Sequence, residues 1–232
     1  MKHSVLAMLA FILMTCGVSS DTGINKNLFV ADGEHKSSGL RSVNGSITVG
    51  NEARVDGDCT TVNGEIIIGE NSVVGELSCV NGSISLDRSA KAKEVSCING
   101  SIHLNGEVVI QGDISTVNGS ITGKRDVEVL GDMATVNGDM SILQTLVAGN
   151  ISTVNGDIEL LESSLVKGDI IVNRDRKSNK KRPFKELIIT VEAGSKVKGN
   201  IEVKGENPNV TVVLADGGEV LGNIINAEVI RK

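Results

Sequence analysis

Carboxylates recur through this chain at a fixed interval. Asp58, Glu76, Glu94, Asp113 and Asp132 stand 18 or 19 residues apart, and Asn150, Asp169, Asn200 and Asn223 hold the same place in later repeats. If the repeats stack, these groups line one edge at a strand spacing of about 4.8 Å. Like charges that close repel, and a divalent cation with oxygen ligands relieves the repulsion. The set is a weak candidate calcium ladder. The plain alternative is a solvated edge with counter-ions, since carboxylates usually stay exposed. A third reading docks the basic stretch 174–185 on an acidic edge. Histidine offers less. Only His3, His35 and His103 are present. His103 sits between Ile102 and Leu104, facing solvent on a strand, and no group can be named to orient it as a general base. No catalytic residue and no cofactor is assigned, and the expectation is a protein that is not an enzyme. Polysaccharide-processing β-helices pair a carboxylate cluster with aromatic platforms. With no Trp, no Tyr and three Phe, that class stands only as an alternative.

Cysteine gives two further candidates. Cys79 and Cys97 hold one motif position in successive repeats, at a spacing within the Cα range of a disulfide. Either they form one, or Cys replaces the Thr found there in other copies. Cys59 lies two positions back in its own copy, without an obvious partner. Cys16 follows Lys2, His3 and the apolar run 5–14, a length suited to a secretory signal and too short to span a bilayer. The run ends in "LMTC", which resembles a bacterial lipobox and implies lipidation of Cys16. Thr15 departs from the small residues usual there, and ordinary cleavage near Ser20 is the alternative. Either way residues 1–20 read as a signal peptide, and the expectation is an exported protein of the bacterial periplasm or outer membrane. Losing Lys2, the only charge in that segment, takes the formal net charge from −6 to −7. An acidic body argues against nucleic-acid binding.

What must position these groups is a repeat. The phrases "TTVNG", "SCVNG", "SCING" and "STVNG" recur so that Asn falls at Asn44, Asn63, Asn81, Asn99, Asn118, Asn137 and Asn155, in steps of 18 or 19. A constant step of this size marks a solenoid whose repeats contact only their neighbours. Apolar residues also recur every six, as in Val62, Ile68, Val74, Val80, Leu86, Ala92 and Ile98. Three sixes make a coil of three short strands. The fold class is therefore all-β: a single-stranded parallel β-helix with triangular coils of 18–19 residues, right-handed favoured over left-handed. The extra residue of the longer coils is placed near Gly57, Gly112 and Gly131. The Asn-Gly pair reads as a corner, because both residues tolerate positive φ. Asn repeated at one corner predicts a side-chain ladder running up the stack. The column Thr61, Cys79, Cys97, Thr116, Thr135 and Thr153 is only partly Thr, which argues against an ice-binding row.

Residues 21–38 read as a linker and N-terminal cap, 39–172 as the regular solenoid, and 187–232 as further coils and a cap. Between them "NRDRKSNKKRPFKE", 173–186, carries seven basic residues and almost nothing apolar, and reads as an exposed loop. About ten coils give a rod on the order of 50 Å long.

The stretches "ITVGNEARVDGDCTTVNGEIIIGENSVVGEL" (47–77) and "VEAGSKVKGNIEV" (191–203) resemble bactofilins, polymer-forming bacterial β-helix proteins. The resemblance covers roughly 40–225. It implies a right-handed parallel β-helix able to join end to end. Bactofilins are typically cytoplasmic, and the export signal departs from them. The functional expectation is a non-enzymatic cell-envelope β-solenoid with a structural or interaction role, anchored to a membrane by lipid. A filament-forming element is the first alternative. The partners expected are the membrane and further copies of the chain, end to end or side by side.

Overall fold

The computed structural model describes residues 20–174, 185–205 and 209–232. Among them every regular element is a strand, and every pairing is parallel. The strands fall into three columns. Sheet A holds eleven, from Ser20–Gly23 through Cys59–Asn63, Leu77–Asn81, Val95–Asn99, Ile114–Asn118 and Met133–Asn137 to Ile224–Ile225. Sheet B also holds eleven, from Leu28–Val30 through Ile84–Leu86 and Ile102–Leu104 to Glu228–Arg231. Sheet C holds seven, from Lys91–Ala92 to Glu219–Val220. The pair His35–Lys36 and Arg54–Val55 precedes them, and Val73 bridges the gap. The chain visits A, B and C in turn, so each circuit is one three-sided coil of a β-solenoid.

Register is residue upon residue. Asn81 pairs with Asn99, Asn99 with Asn118, and Asn118 with Asn137. The extra residue of the 19-residue coils lies beside Gly57 and Gly112 as expected but not beside Gly131, where Val129↔Val147 and Met133↔Ile151 keep one step; there the step changes between Gly123↔Ile142 and Val127↔Thr145, at the turn from sheet B to sheet C. Arg54 pairs with Val73, 19 ahead, while Cys59 pairs with Leu77, 18 ahead, which puts the additional residue of that coil beside Gly57. Lys91↔Val109 and Val95↔Ile114 put the next beside Gly112 by the same comparison.

Inside, the solenoid is aliphatic. Ile47, Ile66, Ile84, Ile102, Ile121, Met140 and Ile158 fill it from sheet B, and Leu77, Val95, Ile114, Met133 and Ile151 from sheet A, all at most 1 % exposed. A corner at Asn-Gly allows both columns to face in. The six-residue series holds only in part. Ile68, Val74, Leu86 and Ala92 are buried, but Val62, Val80, Ile98, Val136 and Val154 face outward. The physical reason is strand length. The sheet A strands from Cys59–Asn63 to Met133–Asn137 run five residues with alternating burial that ends on an exposed Asn, so strict alternation turns the Val or Ile before that Asn away from the core.

Residues 21–38, expected as linker and cap, form a coil in register: Asp21 pairs with Leu40, Leu28 with Ile47, and His35 with Arg54. The basic loop lies largely outside the described residues, at 175–184. Its first arginine, Arg174, is buried rather than exposed. In sequence, that segment and 206–208 each fall between a sheet A strand and a sheet B strand: Ile170–Asn173 and Leu187–Val191 flank the first, Ile201–Lys204 and Val210–Leu214 the second.

Candidate functional site

The repeated Thr-Val-Asn-Gly phrase explains itself residue by residue. The first member points inward and donates to a carbonyl of the preceding coil. Thr61 Oγ1 reaches Gly45 O at 2.9 Å, Thr116 reaches Gly100 O at 3.0 Å, and Thr135 reaches Gly119 O at 3.3 Å. Cys79 and Cys97 make the same contact through sulfur, to Gly64 O at 3.4 Å and Gly82 O at 3.1 Å. Of the two sequence readings, the structure contains the substitution: Cys59, Cys79 and Cys97 are buried free thiols. A thiol fits because it is a small side chain with a weak donor. This column is interior, so it offers no Thr row to ice.

The Asn faces out and forms a continuous amide ladder. Each Nδ2 donates to the Oδ1 below it, from Asn44 to Asn25 at 2.7 Å, Asn81 to Asn63 at 2.8 Å, and Asn99 to Asn81 at 2.9 Å. It continues from Asn118 to Asn99, Asn137 to Asn118 and Asn155 to Asn137 at 2.8, 2.9 and 2.9 Å. Asn25, outside the motif in sequence, is its first rung. Each inner amide donates once and accepts once along the row, a pattern a carboxylate cannot complete.

The Gly is required by space. A Cβ on Gly64, Gly82, Gly100, Gly119, Gly138 or Gly156 would lie within 2.3 Å of the carbonyl oxygen of the equivalent glycine one coil earlier. Positive φ is not the cause there. Of these six only Gly82 has it, at 149°. The left-handed residues instead gather between sheets B and C, where Glu52, Asn71, Ser89, Glu107, Asp126 and Gln144 have φ between 47° and 60°. Beneath them Ser72 and Ser164 are buried. Ser72 Oγ donates to Gly50 O at 2.6 Å and accepts from Ala53 N at 3.1 Å.

The carboxylate column has a structural task as well. Oδ1 of Asp58 accepts from Glu76 N at 3.0 Å, that of Asp113 from Asp132 N at 2.8 Å, and that of Asp132 from Asn150 N at 2.7 Å. The row continues from Asn150 to Asp169, Asp169 to Asn200, and Asn200 to Asn223. Asp and Asn serve equally because only the oxygen is used. At Glu76 and Glu94 the extra methylene moves that oxygen away, and the bond is not formed. Glu94 has its carboxyl raised above the ordinary 4.5 by desolvation, then by Glu76 and Asp113 on either side. Among the described residues no three His, Cys, Asp or Glu come together to hold a metal, and Asp58, Asp113 and Asp132 each already engage one oxygen with a backbone N–H of the next coil.

His103 is half-buried on sheet B, and its Nδ1 lies 2.8 Å from Thr122 Oγ1 on the next coil. His35 is exposed, with Nε2 2.8 Å from Asp56 Oδ2, and Arg54 Nε meets Oδ1 of the same carboxylate at 2.7 Å. These two hold Asp56 below its usual range, His35 foremost. The two histidines sit on different sheets and share no partner.

Arg174 was not legible as a functional residue. It follows the last motif copies where the Asn row has ended, and its guanidinium bonds three carbonyls: Val154 O at 3.2 Å, Lys185 O at 2.7 Å and Asn209 O at 3.2 Å. It ties together three successive levels at the corner between sheets A and B. Cys16 lies outside the described residues. At the far end a concavity of about 760 Å³ opens on the last coil, lined by Leu214, Val220, Ile224, Val229 and Arg231.

The fold and its ladders define a β-solenoid whose repeated polar side chains bond coil to coil. No protein family, curated protein or solved structure matches the chain.

Proposed function

We propose that this protein is a non-enzymatic β-solenoid of the bacterial cell envelope with a structural or interaction role, anchored through a lipid on Cys16. The observation that carries this reading is the use made of the repeated polar residues. Thr, Asn and Asp of the motif bond the next or preceding coil. The polar repetition thus serves rigidity along the rod, as a scaffold requires. Labelling with a radioactive fatty acid after expression in a bacterium, followed by envelope fractionation, tests it. Label in the membrane fraction that disappears in Cys16→Ser is the expected result. Unlabelled protein in the cytoplasm would overturn the reading.

A bactofilin-like, filament-forming element is the second reading, and one observation favours it. The last coil leaves Val220, Ile224 and Val229 part-exposed or exposed, although their partners one coil earlier, Val197, Ile201 and Val212, are fully buried; this is the apolar surface that a further coil would cover. Electron microscopy of the purified protein decides: unbranched filaments support this reading, and isolated short rods exclude it.

A further inference from the structure

Sheet A turns two columns of side chains outward. One is small: Thr60, Ser78, Ser96, Ser115, Ala134 and Ser152. The other is bulkier and apolar: Val62, Val80, Ile98, Val117, Val136 and Val154. Val43 extends the apolar column by one level and is 41 % exposed. In-register pairing sets both columns parallel to the rod axis. No charge interrupts either column from Thr60 to Ile171, whereas Arg41 precedes them and Glu202 and Lys204 follow. Charges do occupy sheet C and the corner beside it, including Lys91, Lys93, Glu94, Glu128 and Lys167. A chain of formal net charge −6 thus presents two long adjacent columns without charge, bordered on the side of the small column by the carboxylates Asp58, Glu76, Glu94, Asp113 and Asp132.

We propose that this face of sheet A is a lateral self-association surface, on which a second copy of the chain packs side by side and parallel. Three features select a second copy as occupant. First, a two-fold axis along the rod lays the apolar column of each copy over the small column of the other. Ridge then meets groove at every coil, as in the dry interface of facing sheets. A two-fold axis across the rod would set ridge on ridge. Second, the face offers no ion pair to a charged partner, while two acidic copies approach most cheaply where neither carries charge. Third, seven levels at about 4.8 Å and a strand width of roughly 15 Å give about 500 Å² per copy. The two faces together come near the roughly 1,000 Å² at which specific interfaces begin. The dimer is therefore reversible and dissociates on dilution. Parallel rods bring both N-termini to one side, which suits two copies anchored in one membrane. The proposal rests on the interaction role above only in that respect, because the face itself lies entirely within the solenoid.

Sedimentation equilibrium of the full chain carrying Cys16→Ser, across a dilution series, is the test. The expected result is a concentration-dependent species of twice the chain mass. Val117→Lys and, separately, Ala134→Lys should leave only monomer, with circular dichroism and melting showing an intact solenoid. Thr48→Lys, on sheet B, should leave the dimer unchanged. The geometry makes a sharper demand. Ala134→Lys chains mixed with Val136→Glu chains should pair with each other although neither pairs with itself, because residue 134 of one copy faces 136 of the other. A wild-type chain that stays monomeric at every concentration overturns the proposal, as does a dimer untouched by both lysine substitutions. Monomeric chains that instead sediment with insoluble polysaccharide, and lose this in Val117→Lys, would assign the face to a glycan and overturn self-association. Fatty-acid labelling of Cys16 is indifferent to all these outcomes, so the envelope reading stands or falls separately.

Discussion

The Asn118 side chain donates from Nδ2 to Oδ1 of Asn99 at 2.8 Å, while its own Oδ1 accepts from Asn137 at 2.9 Å. Both halves of one amide are engaged along the rod axis, and the same is true at each inner rung.

Replacing Asn118 by Asp keeps the acceptor and removes the donor. The bond to Asn99 is lost, and a charge enters the row. An exposed hydrogen bond contributes about 1 kcal/mol net, so Asn118→Asp should lower stability by about that amount at neutral pH. Asn118→Ala breaks both neighbouring bonds and should cost up to about twice as much. Chemical denaturation of the purified variants measures both. An Asp variant as stable as wild type would show that the row carries no energy.

Gly100, at the Asn-Gly corner, should be far less replaceable than Gly112, which has more room than the other glycines beside the carboxylate column. A Cβ at Gly100 would stand 1.7 Å from Gly82 O, whereas at Gly112 the nearest atom is Lys93 O at 3.0 Å. Gly100→Ala must therefore separate two coils, an effect of about 4 kcal/mol or more or outright misfolding. Gly112→Ala should lie near about 1 kcal/mol. Comparing their melting temperatures checks the order.

The thiols make an alkaline prediction. Burial, with Asp58 adding to it, pushes Cys59 up to about 12 from an ordinary 9.0. Between those values the unfolded chain has released the proton and the folded chain still holds it. Unfolding is therefore favoured progressively as pH rises from about 9 to about 12, and below 9 this group has no effect. Cys59→Ala should flatten stability over that window, at the cost of a small cavity at all pH. In the folded protein at pH 8, Cys59, Cys79 and Cys97 should react with a thiol reagent only as fast as the coils open. Cys97→Thr should be tolerated without loss, because Thr116 and Thr135 already make the same interior bond on the next coils.

Glu94 predicts the opposite end of the pH scale. Its carboxyl is raised in the folded state, so protonation favours folding. The contribution is complete below the ordinary value of 4.5 and is lost as pH rises through the folded one. Glu94→Gln should raise the melting temperature at pH 7 and make no difference near pH 4. Glu94→Asn should gain further, since a side chain one methylene shorter can accept from Asp113 N as Asp113 does from Asp132 N. Thermal melts across pH separate the two effects.

Stacking, register and the Asn row were legible because all three follow from identity at a fixed step. Equivalent letters touch, as Asn81, Asn99 and Asn118 do. The positions of the extra residues near Gly57 and Gly112 were legible for the same reason. The orientation of the Val before each Asn was not. A six-residue period cannot tell a five-residue strand from a three-residue one, and only strand length decides which way Val80 turns. The carboxylate column was ambiguous because repetition at one step looks like a multivalent site. Its use, an oxygen accepting from a backbone N–H, appears in sequence only as free exchange between Asp and Asn. Arg174 left no trace at all, since it occurs once and a repeat reading weighs only what recurs.

The amide row also constrains how such a chain can lengthen. From Asn25 to Asn155 no excursion leaves the corner between sheets A and B. Beyond Asn155 the segments 175–184 and 206–208 both fall, in sequence, between a sheet A strand and a sheet B strand. An insertion earlier would cut an unbroken seam and strand a donor on one side and an acceptor on the other. Where Arg174 has taken over, with three carbonyls in its grasp, the same corner is open to new sequence. Grafted loops or peptide tags should therefore be accepted after Arg174 and rejected before it.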